Sequence, residues 1–184
     1  ALLLSVSTAV STVFAQEEVF PTFMATTPNQ TVTGMFNGVV FTITPMEGLS
    51  QSTLDLDSYI GGDLGLGTQN VLQYSTATSA FTITFTQPID SLAFYALNFA
   101  SSQADGYDEY TFSETFTVEQ GFSSALVSAR AFNLSNTITD SGFIRFNNPV
   151  TTLTVTGTGA LILGGDQSFT FSAPPPAPPA LPFI

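Results

Sequence analysis

Residues 81–99 read FTITFTQPIDSLAFYALNF. Phe81, Ile83 and Phe85 alternate with Thr82, Thr84 and Thr86, the period of a strand with one face in a core and one in water. After the turn signal Gln87-Pro88 comes a second strand, 91–99, which is apolar on both faces from Leu92 to Phe99 and is therefore expected at the centre of a sheet. The same alternation recurs in Val39-Phe41-Ile43 against Val40-Thr42-Thr44, and in Tyr110-Phe112-Phe116-Val118 against Thr111-Ser113-Thr115-Thr117. Further candidates are 71–74, 143–146, 151–156 and 167–172. Gly and Pro punctuate the gaps at Gly61-Gly62, Gly106, Asn148-Pro149, Gly157 to Gly159 and Gly164-Gly165, and no stretch sustains a 3.6-residue period. Many short strands without helical crossovers predict an all-β fold: an antiparallel β-sandwich, jelly-roll-like in topology rather than a closed barrel.

Composition narrows the chemistry. The 184 residues include no Cys, His, Trp or Lys, and the only cations are Arg130 and Arg145. Most side chains that serve as nucleophiles, neutral-pH bases or soft metal ligands are thus missing, and the expectation is a protein that is not an enzyme. Eighteen Phe and five Tyr provide the core without disulfide staples. A net charge of −12, from 14 acidic and 2 basic residues, repels phosphate backbones and anionic lipid. No nucleic-acid partner and no membrane insertion of the body are expected. As the only cations, the two arginines are candidates for pairing with carboxylates.

The ends differ from the middle. Residues 1–15, ALLLSVSTAVSTVFA, combine an apolar run with small residues before polar Gln16-Glu17-Glu18, the pattern of a signal-peptide remnant. The same residues also place Leu2, Leu4, Val6 and Val10 on one face, as a strand donated to a neighbouring subunit requires. Both readings stand. Residues 173–182, APPPAPPALP, are six-tenths proline and read as an extended spacer. The expected division is 1–15 remnant or donor strand, 16–172 sandwich and 173–184 Pro-rich tail.

With its strand, Gln-Pro-Ile-Asp turn and second strand, 81–99 resembles the core of secreted bacterial β-sandwich proteins bearing PEP-CTERM-type sorting tails. Residues 168–184, SFTFSAPPPAPPALPFI, are similar to the entry into such a tail, although the stretch carries no Pro-Glu-Pro triplet. The resemblance implies an exported surface or extracellular-matrix protein and implies no catalytic residues.

Two acidic stretches are candidate Ca²⁺ loops: Asp55 and Asp57 with Asp63 beyond Gly61-Gly62, and Asp105 with Asp108 and Glu109. Ca²⁺ takes six to eight oxygens, and Asp-rich loops with Gly are where a β-sandwich supplies them; turn chemistry alone also selects Asp, Gly and Ser. Tyr107 and Tyr110 flank the second stretch and are candidates for a Ca²⁺-assisted carbohydrate-binding face. Against this stands assembly. Windows such as VVFTIT and FTITFT are apolar, β-branched and uncharged, and a sheet protein without Lys lacks the commonest protection of strand edges. The leading expectation is a secreted, cell-surface or matrix protein that self-associates by strand addition into a filament, with polysaccharide binding as the alternative.

Overall fold

The Thr-interleaved run from Phe81 to Phe85 lies inside a twelve-residue strand, and its apolar side faces a second sheet across a phenylalanine core. A computed structural model describes residues 17–27, 31–44, 49–61, 64–74, 78–99, 107–122, 126–135, 140–161 and 168–175. The stretch 1–15 and the tail beyond Pro175 lie outside the described residues.

Along the chain come β1 (Thr22–Thr27), β2 (Thr31–Phe36), β3 (Val39–Thr44), β4 (Leu49–Asp55) and the five-residue helix α1 (Leu56–Ile60). These are followed by β5 (Thr68–Tyr74), β6 (Thr78–Ile89), β7 (Ala93–Phe99), β8 (Tyr107–Phe112) and β9 (Phe116–Gly121). The last five strands are β10 (Leu126–Ser128), β11 (Ala131–Ser135), β12 (Asp140–Phe146), β13 (Val150–Leu161) and β14 (Ser168–Ser172). They form an eight-stranded sheet, β1-β2-β3-β6-β13-β8-β11-β10, and a six-stranded sheet, β4-β5-β14-β7-β12-β9, with antiparallel pairing throughout. Strands β6-β13-β8-β11 of one sheet are connected to β7-β12-β9 of the other in the interleaved order of a jelly roll. The all-β sandwich expected from the period-two runs is therefore the fold of this chain.

Phenylalanine dominates the space between the sheets. The Phe171 ring meets Phe23, Phe36, Phe41 and Phe85 edge-on at 5.0–6.4 Å, and Phe81 stacks on Phe169 at 4.8 Å. Each buried Phe contributes about 1.5–3 kcal/mol, with edge-to-face pairs adding to that. Close approach needs Gly34, where a Cβ would collide with the Phe41 ring and the Thr22 carbonyl. Between β2 and β3, Asn37 and Gly38 both have positive φ (50° and 76°), the type I′ geometry that matches hairpin twist.

As expected, β7 is buried on both faces. Its inner side meets the main core, whereas Ala93, Tyr95 and Leu97 join a second cluster with Leu56 and Ile60 of α1 and Val71. Helix α1 packs over β7 and β12 on this side of the six-stranded sheet, and β14 is buried along its whole length.

Three local expectations are corrected. Gln87-Pro88 is not a turn but the exposed end of β6, tolerated because the ladder is already irregular there between Val150 and Thr152. Gly157 continues β13 instead of ending it. Residues 110–118 are two strands in different sheets, β8 and β9, with a bend at Ser113-Glu114.

Candidate functional site

The first acidic stretch is a local scaffold. Asp55 stands before α1 and its Oδ2 accepts a hydrogen bond from Ser58 Oγ at 2.9 Å. In the first turn of α1, Asp57 Oδ1 accepts the backbone N–H groups of Leu64 (3.1 Å) and Leu66 (3.4 Å), while Oδ2 accepts that of Gly67 (3.0 Å). The Gly67 bond leads in holding this carboxyl below the usual carboxylate range, with Leu66 and Leu64 adding to it against the opposing effect of burial. Asp57 thereby shapes the chain that covers the six-stranded sheet. Asp63 and Asp105 lie outside the described residues, as do the side chains of Asp108 and Tyr107 on β8.

The second stretch does not join the first. Glu109 is half-buried on β8, in the other sheet, and accepts a hydrogen bond from Thr111 Oγ1 at 3.3 Å. Tyr110 is corrected as a ligand contact: it is 0% exposed and its ring packs on Phe99 at 5.2 Å in the core. Among the described residues no group of three His, Cys, Asp or Glu is placed to hold a metal ion, and no helix is long and apolar enough to cross a membrane.

A polar cluster forms instead on the outer side of the six-stranded sheet. Arg145 of β12 reaches Glu18 Oε1 at 2.8 Å, donates to the Ser91 carbonyl at 2.7 Å and lies 3.8 Å from Glu119. Ser172 Oγ lies 2.7 Å from Glu18 Oε2 and 3.1 Å from the Tyr95 hydroxyl. With only one proton, Ser172 donates to the carboxylate and accepts from Tyr95. Burial pushes Tyr95 up to about 12. Its ring lies between Phe143 (4.9 Å, stacked) and Phe20 (5.5 Å), and Val19 forms a two-way backbone bridge with Ala173. Together these contacts fasten residues 17–21 to the sandwich.

Strand edges complete the picture. β1 is interrupted by a bulge between Phe23 and Ala25, β10 has three residues, and β9 carries Glu119 and faces a register shift in β12. These are the usual devices against edge pairing. β4 has none of them. Its seven residues, LSQSTLD, pair with β5 in unbroken register from Leu49↔Tyr74 to Asp55↔Thr68, and no described strand is hydrogen-bonded to its other side, although β1 of the other sheet approaches it. The only charge is at the end, Asp55.

Comparison with known protein families, curated proteins and solved structures returns no match. Sequence reasoning missed both β4 and Glu18. Leu49 to Asp55 shows no alternation because an edge strand exposes much of both faces, and nothing local links Glu18 to an arginine 127 positions away.

Proposed function

We propose that this protein is a secreted, non-enzymatic structural component that self-associates by strand addition at the free edge of β4. The observation that carries the reading is the unbroken, seven-residue β4 register with no bulge, proline or lysine to block a partner strand. The apolar stretch before Gln16-Glu17-Glu18 and the few functional side-chain types support export and a structural role.

Magnitude decides the form of assembly. Up to about seven new ladder bonds at about 0.5–1.5 kcal/mol each give about 3–10 kcal/mol, against about 4–15 kcal/mol of lost freedom on association. A single edge contact is therefore weak, and growth depends on high concentration or on contacts repeated along a polymer. Thr53 is exposed near the middle of β4. Thr53→Lys places a charge against any incoming strand and should shift assembly, followed by light scattering and electron microscopy, to higher concentration with the monomer still folded. A wild-type chain that stays monomeric at high concentration, or a Thr53→Lys chain that assembles unchanged, refutes the reading.

A further inference from the structure

The outer face of the eight-stranded sheet is a threonine lattice. Thr42 of β3 pairs with Thr84 of β6, which pairs with Thr152 of β13; one row along, Thr44 pairs with Thr82 and Thr82 with Thr154. Six threonines thus occupy two rows on three adjacent strands, and Thr33 on β2 extends the first row. The Thr82 and Thr154 hydroxyls are 3.1 Å apart.

β-propensity favours Thr on any exposed strand face, but it does not select Thr at all six sites. On the outer side of the six-stranded sheet the same chain uses Gln69, Tyr95, Phe143, Arg145 and Glu119. The block holds no charge in a molecule of net charge −12.

The repeat distances follow from the antiparallel sheet itself: opposed residues lie alternately about 4.5 and 5.5 Å apart across strands, and same-face residues along a strand about 6.6–6.8 Å apart. The cross-strand spacing averages close to the shorter oxygen repeat on the prism faces of hexagonal ice, and the spacing along a strand falls somewhat short of the longer one, a gap that side-chain splay can close. Twist of about 20–25° per strand turns β3 and β13 by about 40–50° relative to each other, so the flattest part of the block is centred on β6. Each hydroxyl has one donor and two acceptors; the Thr82–Thr154 bond uses one donor and one acceptor of that pair, and the remaining sites can bond ordered water, while the methyl beside each hydroxyl restricts the orientations of neighbouring water. An ionic side chain would impose its own hydration shell on that lattice, and none is present. Nor does the block offer an aromatic platform for stacking a sugar ring.

We propose that the Thr42, Thr44, Thr82, Thr84, Thr152 and Thr154 block binds ice. The site lies on the sheet opposite to that of β4 and needs only one copy of the chain, so it is independent of self-association.

The test is thermal hysteresis and crystal shaping with the full chain in a nanolitre osmometer. Wild type should depress the freezing point below the melting point and facet the crystals. Thr84→Lys at the centre and Thr152→Lys at the border should each lose most of that gap with unchanged circular dichroism. Asn148→Lys, which adds the same charge on an exposed loop, should keep it. Absence of hysteresis in the wild type, or hysteresis that survives both threonine substitutions, overturns the proposal. Retention on crystalline chitin or cellulose that Thr84→Lys abolishes, without hysteresis, also overturns it and reassigns the face to a polymer.

Discussion

Removing the Glu18 carboxylate should destabilise the whole sandwich although the residue lies outside every strand. Glu18→Ala takes away the 2.8 Å ion pair with Arg145 and the 2.7 Å bond from buried Ser172. Exposed pairs contribute about 0.2–1 kcal/mol, and hydrogen bonds to charged groups about 1.5–3 kcal/mol. Side-chain exposures of 24% for Arg145 and 10% for Glu18 place this cluster between those limits. Arg145 keeps the Ser91 carbonyl as a partner, whereas the Ser172 hydroxyl loses its acceptor. The expected loss is about 2–3 kcal/mol. For a chain of this size each kcal/mol moves Tm by about 2–4 °C, so Tm should fall by about 4–12 °C. Urea unfolding followed by circular dichroism should show a lower midpoint at constant slope. A double-mutant cycle with Arg145→Ala should return a coupling of about 1 kcal/mol. A Tm change under about 1 °C, or no coupling, would show that residues 17–21 are not fastened as described.

Two predictions concern proton linkage. Asp57→Asn keeps an acceptor for Leu64 and Leu66 but turns an amide donor toward the Gly67 N–H, so Tm should fall at neutral pH. Because the native carboxyl titrates below its ordinary 3.8, its contribution is complete above that pH and disappears as pH falls through the native value. In a thermal-denaturation series, the gap between wild type and Asp57→Asn should narrow in acid. Tyr95 behaves oppositely: its proton is retained in the folded state up to about 12 and lost from the unfolded chain near 10.0. Stability should be intact below pH 10.0 and decline toward pH 12 by up to about 3 kcal/mol, at about 1.4 kcal/mol per pH unit. Tyr95→Phe should flatten that decline in alkaline unfolding.

The parts of the fold legible in the sequence are those where one strand's own alternation reports its burial. Phe81, Ile83 and Phe85 are inside and Thr84 is outside, as their period demands. The same parity that buries Phe112 buries Tyr110, so its loss as a surface ligand was readable too. Asn37-Gly38 is likewise a readable hairpin signal that links two strands. Parity misleads at Ser113-Glu114, where a bend preserves the alternation while the chain changes sheets. The candidate site was less legible. An edge strand such as β4 has no dry face to betray it, Glu18 and Arg145 meet only through tertiary packing, and the threonine rows depend on registers between strands distant in sequence. The Asp55–Asp57 stretch fits either a cation loop or a tight turn when read from sequence, because both draw on the same Asp and Gly residues.

The Val19–Ala173 bridge has a mechanical consequence. Val19 donates to the Ala173 carbonyl at 2.9 Å and Ala173 to the Val19 carbonyl at 3.3 Å, so the chain enters and leaves the body side by side. A pull applied through these two segments loads the bridge as a zipper, one pair at a time, rather than in shear along a ladder. The Glu18 contacts, nearer the pulled end, yield before the bridge, and peeling residues 17–21 releases roughly 16–18 Å of slack at 3.3–3.6 Å per residue. That slack absorbs extension before β14 is drawn from between β5 and β7, so the first rip in a force–extension trace should leave the Phe171 cluster and the threonine face in place.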